Sequence, residues 1–265
     1  MPIRDDELQR LKKLYSVPQR IPASAGQIDI LERGHRHTHR DGPLSLECWT
    51  FGHGRRVVLA HGWNSRGSHL AHWVEPLLGA GFSVTLYDAP AHGTSPGEAS
   101  SVIHMGRALL SLCQAIQPVY AVIGHSAGSA AILWALNNGL SLDASVHLGG
   151  PASLGPMLRS FLRTQQASPE LAVAFMEWVE TFIGQPISEA NLGNLRHGLL
   201  HPALIIHDLD DPVVPYADAD ALHRNWPFSE IIQVRELGNS RILRDPAVMR
   251  RAVEFVWEHA GGPMA

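Results

Sequence analysis

Apolar residues recur along this 265-residue chain in two rhythms, and their order predicts most of the architecture. Leu8, Leu11, Leu14 and Tyr15 fall at helical spacing behind the acidic start Asp5, Asp6 and Glu7, which predicts a short amphipathic helix over residues 5–15 that covers part of the body. Beyond the punctuation of Pro18 to Gly26, residues 27–31 and 44–51 alternate apolar and polar side chains and predict two antiparallel edge strands. Residues 35–40, His-Arg-His-Thr-His-Arg, lie between them and read as a solvated hairpin tip. His35, His37 and His39 would share one face of a strand, but no carboxylate stands at a spacing that completes a zinc site.

From Arg56 the pattern changes. Residues 56–62, 82–88, 119–123, 144–148, 203–207 and 231–235 are short runs dominated by aliphatic residues, as strands covered on both faces are. Leu70, Trp73, Val74, Leu77 and Leu78, then Val102, Met105, Leu109, Leu112, Cys113 and Ile116, recur at helical spacing between them. Asp245 and Pro246 supply the N-cap and first position of a closing helix. Such alternation predicts an α/β fold with a mostly parallel central sheet and helices on both faces, because each crossover must bury one helix stripe against the sheet. Residues 152–200 interrupt it with no convincing strand, carrying Leu154, Met157, Leu158, Phe161, Phe175 and Trp178 around prolines 156, 169 and 186. The expectation is one domain over residues 1–265 with a helical cap at 152–200, above the carboxyl ends of the strands where such sheets bind ligands.

One junction carries chemistry. The β-branched run ending at Ile123 stops at Gly124-His125-Ser126-Ala127-Gly128 and gives way to the small-residue run Ser129 to Leu133, the pattern of strand, sharp turn and helix. Glycines two before and two after Ser126 leave room where a Cβ would strike the turn, so Ser126 is a candidate nucleophile; a plain helix cap is the other reading of the pentapeptide alone.

Composition removes several alternatives. A hydrophobic fraction of 45% over this length suits one large core, and a net charge of −4 gives no basic field for nucleic acid. Residues 1–13 alternate charges with leucines instead of forming a signal-peptide core, and no apolar run reaches membrane-spanning length, so a cytoplasmic protein without a membrane partner is expected. Cys48 and Cys113 are far apart, which argues against a disulfide framework and a cysteine metal site; Cys113 reads as inert core. A small-molecule substrate or ligand is the expected partner, with no cofactor and no metal, and nothing in the sequence speaks to oligomeric state.

Four ordered motifs give the elbow its context: His61-Gly62-Trp63, Asp88-Ala-Pro-Ala-His92-Gly93-Thr-Ser95, Gly124-His-Ser126-Ala-Gly128, and His207-Asp-Leu-Asp-Asp211-Pro-Val-Val-Pro215. From about Gly52 to the C-terminus the chain resembles the α/β-hydrolase superfamily, and within it the capped, cytoplasmic bacterial branch with a His-Gly-Trp motif. The resemblance implies Ser126 as nucleophile and the backbone amides of Trp63 and Ala127 as an oxyanion hole, each donor being worth roughly 3 kcal/mol in acyl transfer. It implies Asp211 as the triad acid, with Asp208 and Asp210 as neighbours to be told apart from it. His61, Gly62, His92, Gly124, His125 and Gly128 would support the turns, the His125 side chain pointing away from the nucleophile.

The chain departs from the family at one position. The loop after the last strand has Gly-His in the family ahead of the same Arg-Ile-Leu-Arg-Asp-Pro run, whereas here it reads Gly238-Asn239. A carboxamide can bond to Asp211 but cannot accept the serine proton near neutral pH. Loss of one triad member costs about 10⁴ to 10⁶ in turnover, on the order of 5 to 8 kcal/mol. Among the other histidines, His92 is the best placed to substitute. Three readings follow: a slow serine hydrolase of small, largely apolar esters or acyl compounds, a pseudo-hydrolase that keeps the pocket for binding, and an acyltransferase.

Overall fold

The computed structural model describes residues 5–261, so the first four residues of the charged N-terminal stretch lie outside the described residues. In chain order come α1 (Asp5–Ser16), α2 (Ala25–Glu32), β1 (His35–Asp41), β2 (Leu44–Phe51), β3 (Arg55–Ala60), a 3₁₀ turn (Gly67–Trp73) running into α3 (Val74–Gly79), β4 (Phe82–Tyr87), α4 (Val102–Ala115), β5 (Ala121–His125), α5 (Ala127–Asn137) and β6 (Ala144–Leu148). A helical stretch follows, with α6 (Leu154–Thr164), α7 (Pro169–Ile183) and the short α8 (Leu192–Leu195), then β7 (Ala203–Asp208), α9 (Tyr216–Arg224), β8 (Ser229–Val234), α10 (Gly238–Arg241) and α11 (Pro246–Val256).

All eight strands join one sheet in the order β1-β2-β4-β3-β5-β6-β7-β8. β1 and β2 run antiparallel and β3 to β8 run parallel, so the carboxyl ends of β3, β5, β6, β7 and β8 open on one edge. Strand residues alternate between two cores, as a pleat of period two requires. Val58, Ala60 and Val122 pack with Leu109 of α4, Ile132 of α5 and Leu222 of α9. Val57, Leu59, Ala121 and Ile123 pack on the other face with Trp73, Leu77 of α3 and Phe255 of α11. A third apolar cluster belongs to the helical stretch and joins Leu158 of α6 and Phe175 and Val179 of α7 to Leu11 of α1. The N-terminal helix therefore docks on the inserted helices instead of on the sheet.

Three sequence expectations need correction. Residues 27–31 are helix α2, not a strand: the Ser24 hydroxyl accepts from the Gln27 amide while the Gln27 side chain accepts from the Ser24 amide, a capping box that outweighs five residues of ambiguous alternation. Residues 35–40 are not a hairpin tip but strand β1 itself, paired along its length with β2. An edge strand needs only a backbone ladder, so its polar sequence hid it. His39 there meets the Ser111 hydroxyl at 2.8 Å, His35 stacks on His37, and among the described residues no group of His, Cys, Asp and Glu is arranged to hold a metal. The last strand also begins two residues earlier than Ile231, at Ser229. The closing helix starts as read, with the Asp245 carboxylate accepting from the Ala247 and Val248 amides.

Both cysteines are free and buried, and burial pushes each thiol up to about 12, which leaves them unreactive core. Among the described residues no helix is long and apolar enough to cross a membrane.

Candidate active site

Strand β5 ends at His125 and α5 begins at Ala127, which leaves Ser126 alone at the corner with φ 51° and ψ −118°. A non-glycine residue held there costs on the order of 1–3 kcal/mol and persists only where its surroundings over-determine it. They do so here. The Ser126 amide donates to Leu148 of β6 at 2.9 Å and its carbonyl accepts from the Ser129 amide at 3.0 Å. A Cβ at Gly128 would run into the Ala60 and His61 carbonyls, and one at Gly124 would strike Ile132, so the corner closes only with glycine at both places.

The turn after β3 lies against this corner, because a Cβ at Gly62 would come within 3.2 Å of Ser126 Cβ. Among the described residues neither the Trp63 nor the Ala127 amide is engaged by another protein group. His61 fixes that turn from beneath, bonding to the Gly62 carbonyl through Nδ1 at 2.8 Å and accepting the Ala89 amide at Nε2 at 2.9 Å. These two bonds define its neutral tautomer, and complete burial holds its pKa well below the ordinary histidine value. The fully buried Asp88 carboxylate ties the same loops together, accepting from the Gly67 and Thr94 amides and facing Arg66 at 3.5 Å. His92 is likewise buried, its Nδ1 on the Pro90 carbonyl and its ring edge-on to Trp63 at 4.9 Å. It lines neither of the cavities that reach Ser126.

Three neighbouring aspartates take three environments. Asp210 is exposed, and its carboxylate meets Arg235 at 3.5 Å. Asp208 is buried; desolvation works against its charge, but the amides of Asp210, Leu237 and Gly238 outweigh it and hold the carboxyl below its usual range. Through those bonds Asp208 pins the start of the loop that carries Asn239. Asp211 has a fully buried side chain whose Oδ1 accepts from the Val213 and Val214 amides and whose Oδ2 accepts from Asn239 Nδ2 at 2.8 Å. The same Nδ2 donates to the Gly149 carbonyl at 2.9 Å. Both neighbours are acceptors, so the amide nitrogen must face them and the carboxamide oxygen is the atom left over.

Two histidines border this space. The His125 Nε2 meets the Asn239 backbone carbonyl at 2.6 Å, and its ring walls a cavity shared with Ser126 and Asn239. Burial, the larger influence, draws its pKa down to about 4, so it stands neutral. His69, which sequence reasoning missed, lines the same cavity with Nδ1 at 2.9 Å from the Ser65 hydroxyl. It belongs to no motif, and only the path of the 3₁₀ turn brings it here.

Two cavities converge on Ser126. One of about 370 Å³ is apolar, walled by Leu14 and Tyr15 of α1, Val102, Met157 and Phe161 of α6, and Val213. The other, of about 760 Å³, is the more polar of the two, with Leu237 and Leu243 in its wall beside His69, His125, Asn239, Ser240, Arg241 and Arg244. Trp63, Asn64 and Ser126 line both, so the serine stands at the junction.

Known proteins agree with this architecture. The esterase Pf2001 of Pyrococcus furiosus superimposes with a TM-score of 0.71 at 22% identity, over 92% of this chain and all 100% of its own. Est816, described as an N-acyl homoserine lactone degrading enzyme, aligns with a TM-score of 0.64 at 14% identity, over 82% of this chain and 99% of its own. A bromoperoxidase from Bacillus anthracis aligns at 0.63 with 19% identity, over 84% and 99%. At these identities the likeness is one of fold, and no curated protein matches the chain in sequence. The model of one family does match it, over residues 57–261, which run from within β3 through the last helix and include the Ser126 corner and the Asn239 loop; the chain belongs to the alpha/beta hydrolase family.

Proposed function

We propose that the protein is a serine-hydrolase-type enzyme of small, largely apolar esters or related acyl compounds, with Ser126 as nucleophile and the Trp63 and Ala127 amides as oxyanion donors. Its turnover is limited by the absence of a base. Attack of Ser126 Oγ on the acyl carbon forms a C–O bond and moves charge onto the carbonyl oxygen, where two unengaged amides would receive it. The hydroxyl proton must leave in the same step, and that is where the site is deficient. α6 and α7, with α1 packed on them, form the cap, and α6 and α1 wall the apolar side of the site.

The observation that carries this reading is the double donation of Asn239 Nδ2 to Asp211 and Gly149. The amide occupies the place of a triad histidine and keeps its bond to the acid, yet its remaining oxygen is too weak a base to take a proton. Because the amide's nitrogen is fully satisfied, the site is built around it and has not collapsed, and this also supports a second reading: a protein that binds an ester or acyl ligand without cleaving it.

Turnover of p-nitrophenyl acetate decides between them. Native protein is expected to exceed its Ser126→Ala variant only slightly, and Asn239→His to raise turnover by about 10³ or more. Fast, Ser126-dependent turnover by the native chain would refute the missing-base reading. No gain in Asn239→His, with the fold intact by circular dichroism, would remove Ser126 from the chemistry and leave ligand binding.

A further inference from the structure

The polar cavity differs from its apolar neighbour in charge as well as polarity. Arg241, Arg244 and Asp245 are its fully charged wall residues. Asp245 is committed, since its carboxylate caps α11 through the Ala247 and Val248 amides. Arg241 is committed too, its guanidinium donating to the Glu236 carbonyl. Arg244 is not: among the described residues its guanidinium has no hydrogen-bond or ion-pair partner, although its backbone is fixed by the bond to Arg241. Its charge is felt across the cavity, where burial first, and then Arg66 and Arg244, lower the pKa of His69. His69 is therefore neutral near pH 7, and the wall carries one net positive charge, that of two arginines against one aspartate.

We propose that this cavity receives a carboxylate, with Arg244 as the residue that recognises it, so that the ligand is an ester with one apolar arm and one arm ending in a carboxylate. This deepens the ester reading of the preceding section and rests on it for the position of the scissile bond. A planar guanidinium presents paired N–H donors that match a carboxylate. A single net positive charge balances a monoanion and leaves a dianionic phosphate ester unbalanced. The hydroxyl of Ser240 and the amide of Asn64 border the same space and offer further donors. The apolar arm lies in the cavity walled by Met157, Phe161 and Val213, and the ester bridges the two at Ser126.

The test is binding in a Ser126→Ala protein, which removes turnover from the measurement. Calorimetric titration with monomethyl adipate and dimethyl adipate compares a carboxylate-bearing ester with its neutral counterpart. The monoester is expected to bind about tenfold more tightly, a preference that shrinks in 0.5 M salt because Arg244 is solvent-exposed. Arg244→Ala should abolish the preference and Arg244→Lys retain part of it, while Arg250→Ala, an exposed arginine on α11 outside the cavity, should leave it intact. Equal binding of the two esters, or a preference that survives Arg244→Ala, overturns the proposal. Tighter binding of monomethyl phosphate than of monomethyl adipate overturns the choice of carboxylate. If the charge preference is absent while Asn239→His gains turnover, this inference fails alone; if neither ester binds and Asn239→His stays inactive, the ester reading fails with it.

Discussion

The corner at Ser126 and the loop at Asn239 face each other across one cavity and are held by opposite means. The parts of the corner are local, a strained residue, two glycines and the start of a helix within Gly124 to Ser129, and the neighbouring strands close around them. The loop is made at long range, by the carboxylate of Asp208, some thirty residues earlier in sequence, on the amides of Leu237 and Gly238. The difference teaches that geometry and chemistry are separable in this site. Strain and close packing leave little freedom at the corner, whereas the loop accepts an amide at Asn239 and still holds it on Asp211.

The largest test of that separation concerns Asp211. In an Asn239→His background, Asp211→Asn is expected to remove about 10⁴ in kcat/KM for p-nitrophenyl acetate, because the acid then orients a working imidazole. In the natural chain the same substitution is expected to change kcat/KM by less than about threefold, there being no imidazole to orient. Equal effects in the two backgrounds would mean that Asp211 and Asn239 are not acting as a pair.

Next in size is the corner itself. Gly128→Val places a side chain against the Ala60 and His61 carbonyls and is expected to cost more than about 3 kcal/mol by urea denaturation, with loss of any Ser126-dependent turnover of p-nitrophenyl acetate. A loss under about 1 kcal/mol would show that the corner can relax.

The loop should yield less. Asp208→Asn removes the anionic acceptor of three amides and is expected to cost about 2 kcal/mol at pH 7. Its folded pKa is depressed, so the contribution is present above about pH 4, the unfolded value, and is lost as pH falls through the lower folded value. The difference between native protein and variant should therefore close in strong acid. A difference independent of pH would assign the effect to packing.

Histidine burial predicts a second pH dependence, of a different origin. Burial draws His125 to about 4, His147 to about 3 and His201 to about 4, so the unfolded chain takes up protons first. Stability on this account is whole above about pH 6.5 and declines as pH falls from there toward about 4, at up to about 1.4 kcal/mol per pH unit for each histidine. His147→Gln, which can still bond to the Ser129 and Ser145 hydroxyls, should flatten the decline in melting temperature. An unchanged slope would mean that His147 is charged in the folded protein. Smallest is Ser126→Gly, expected to stabilise by about 1 kcal/mol, since glycine relieves the positive φ and gives part of that gain back as chain entropy. Destabilisation would show that Ser126 is not strained.

Most of this was legible where a signal is local. The parallel strands could be read because a strand buried on both faces must be apolar throughout, and the corner because only glycine fits where backbone meets backbone. The departure at Asn239 was visible because it broke a motif whose flanks, Gly238 and Arg241 to Pro246, were intact. Local signals also misled. The alternation at 27–31 is shorter than one full period comparison, and the capping box at Ser24 and Gln27 decided for helix. β1 went unseen because an edge strand is specified by its partner's backbone and not by its own side chains.

What the sequence alone determined is the alternation of strands and helices from β3 onward, the identity of the strained serine and the lack of a histidine in the loop between the last strand and Pro246, since each follows from covalent sequence and short-range sterics. Tertiary structure alone decided which of Asp208, Asp210 and Asp211 meets Asn239, that His125 turns toward that loop, that α1 walls a cavity by docking on α6 and α7, and that His69 and Arg244 border the same space as Ser126. These depend on where separate segments converge in space, which is set by the packing of the whole sheet and carried by no stretch of the chain.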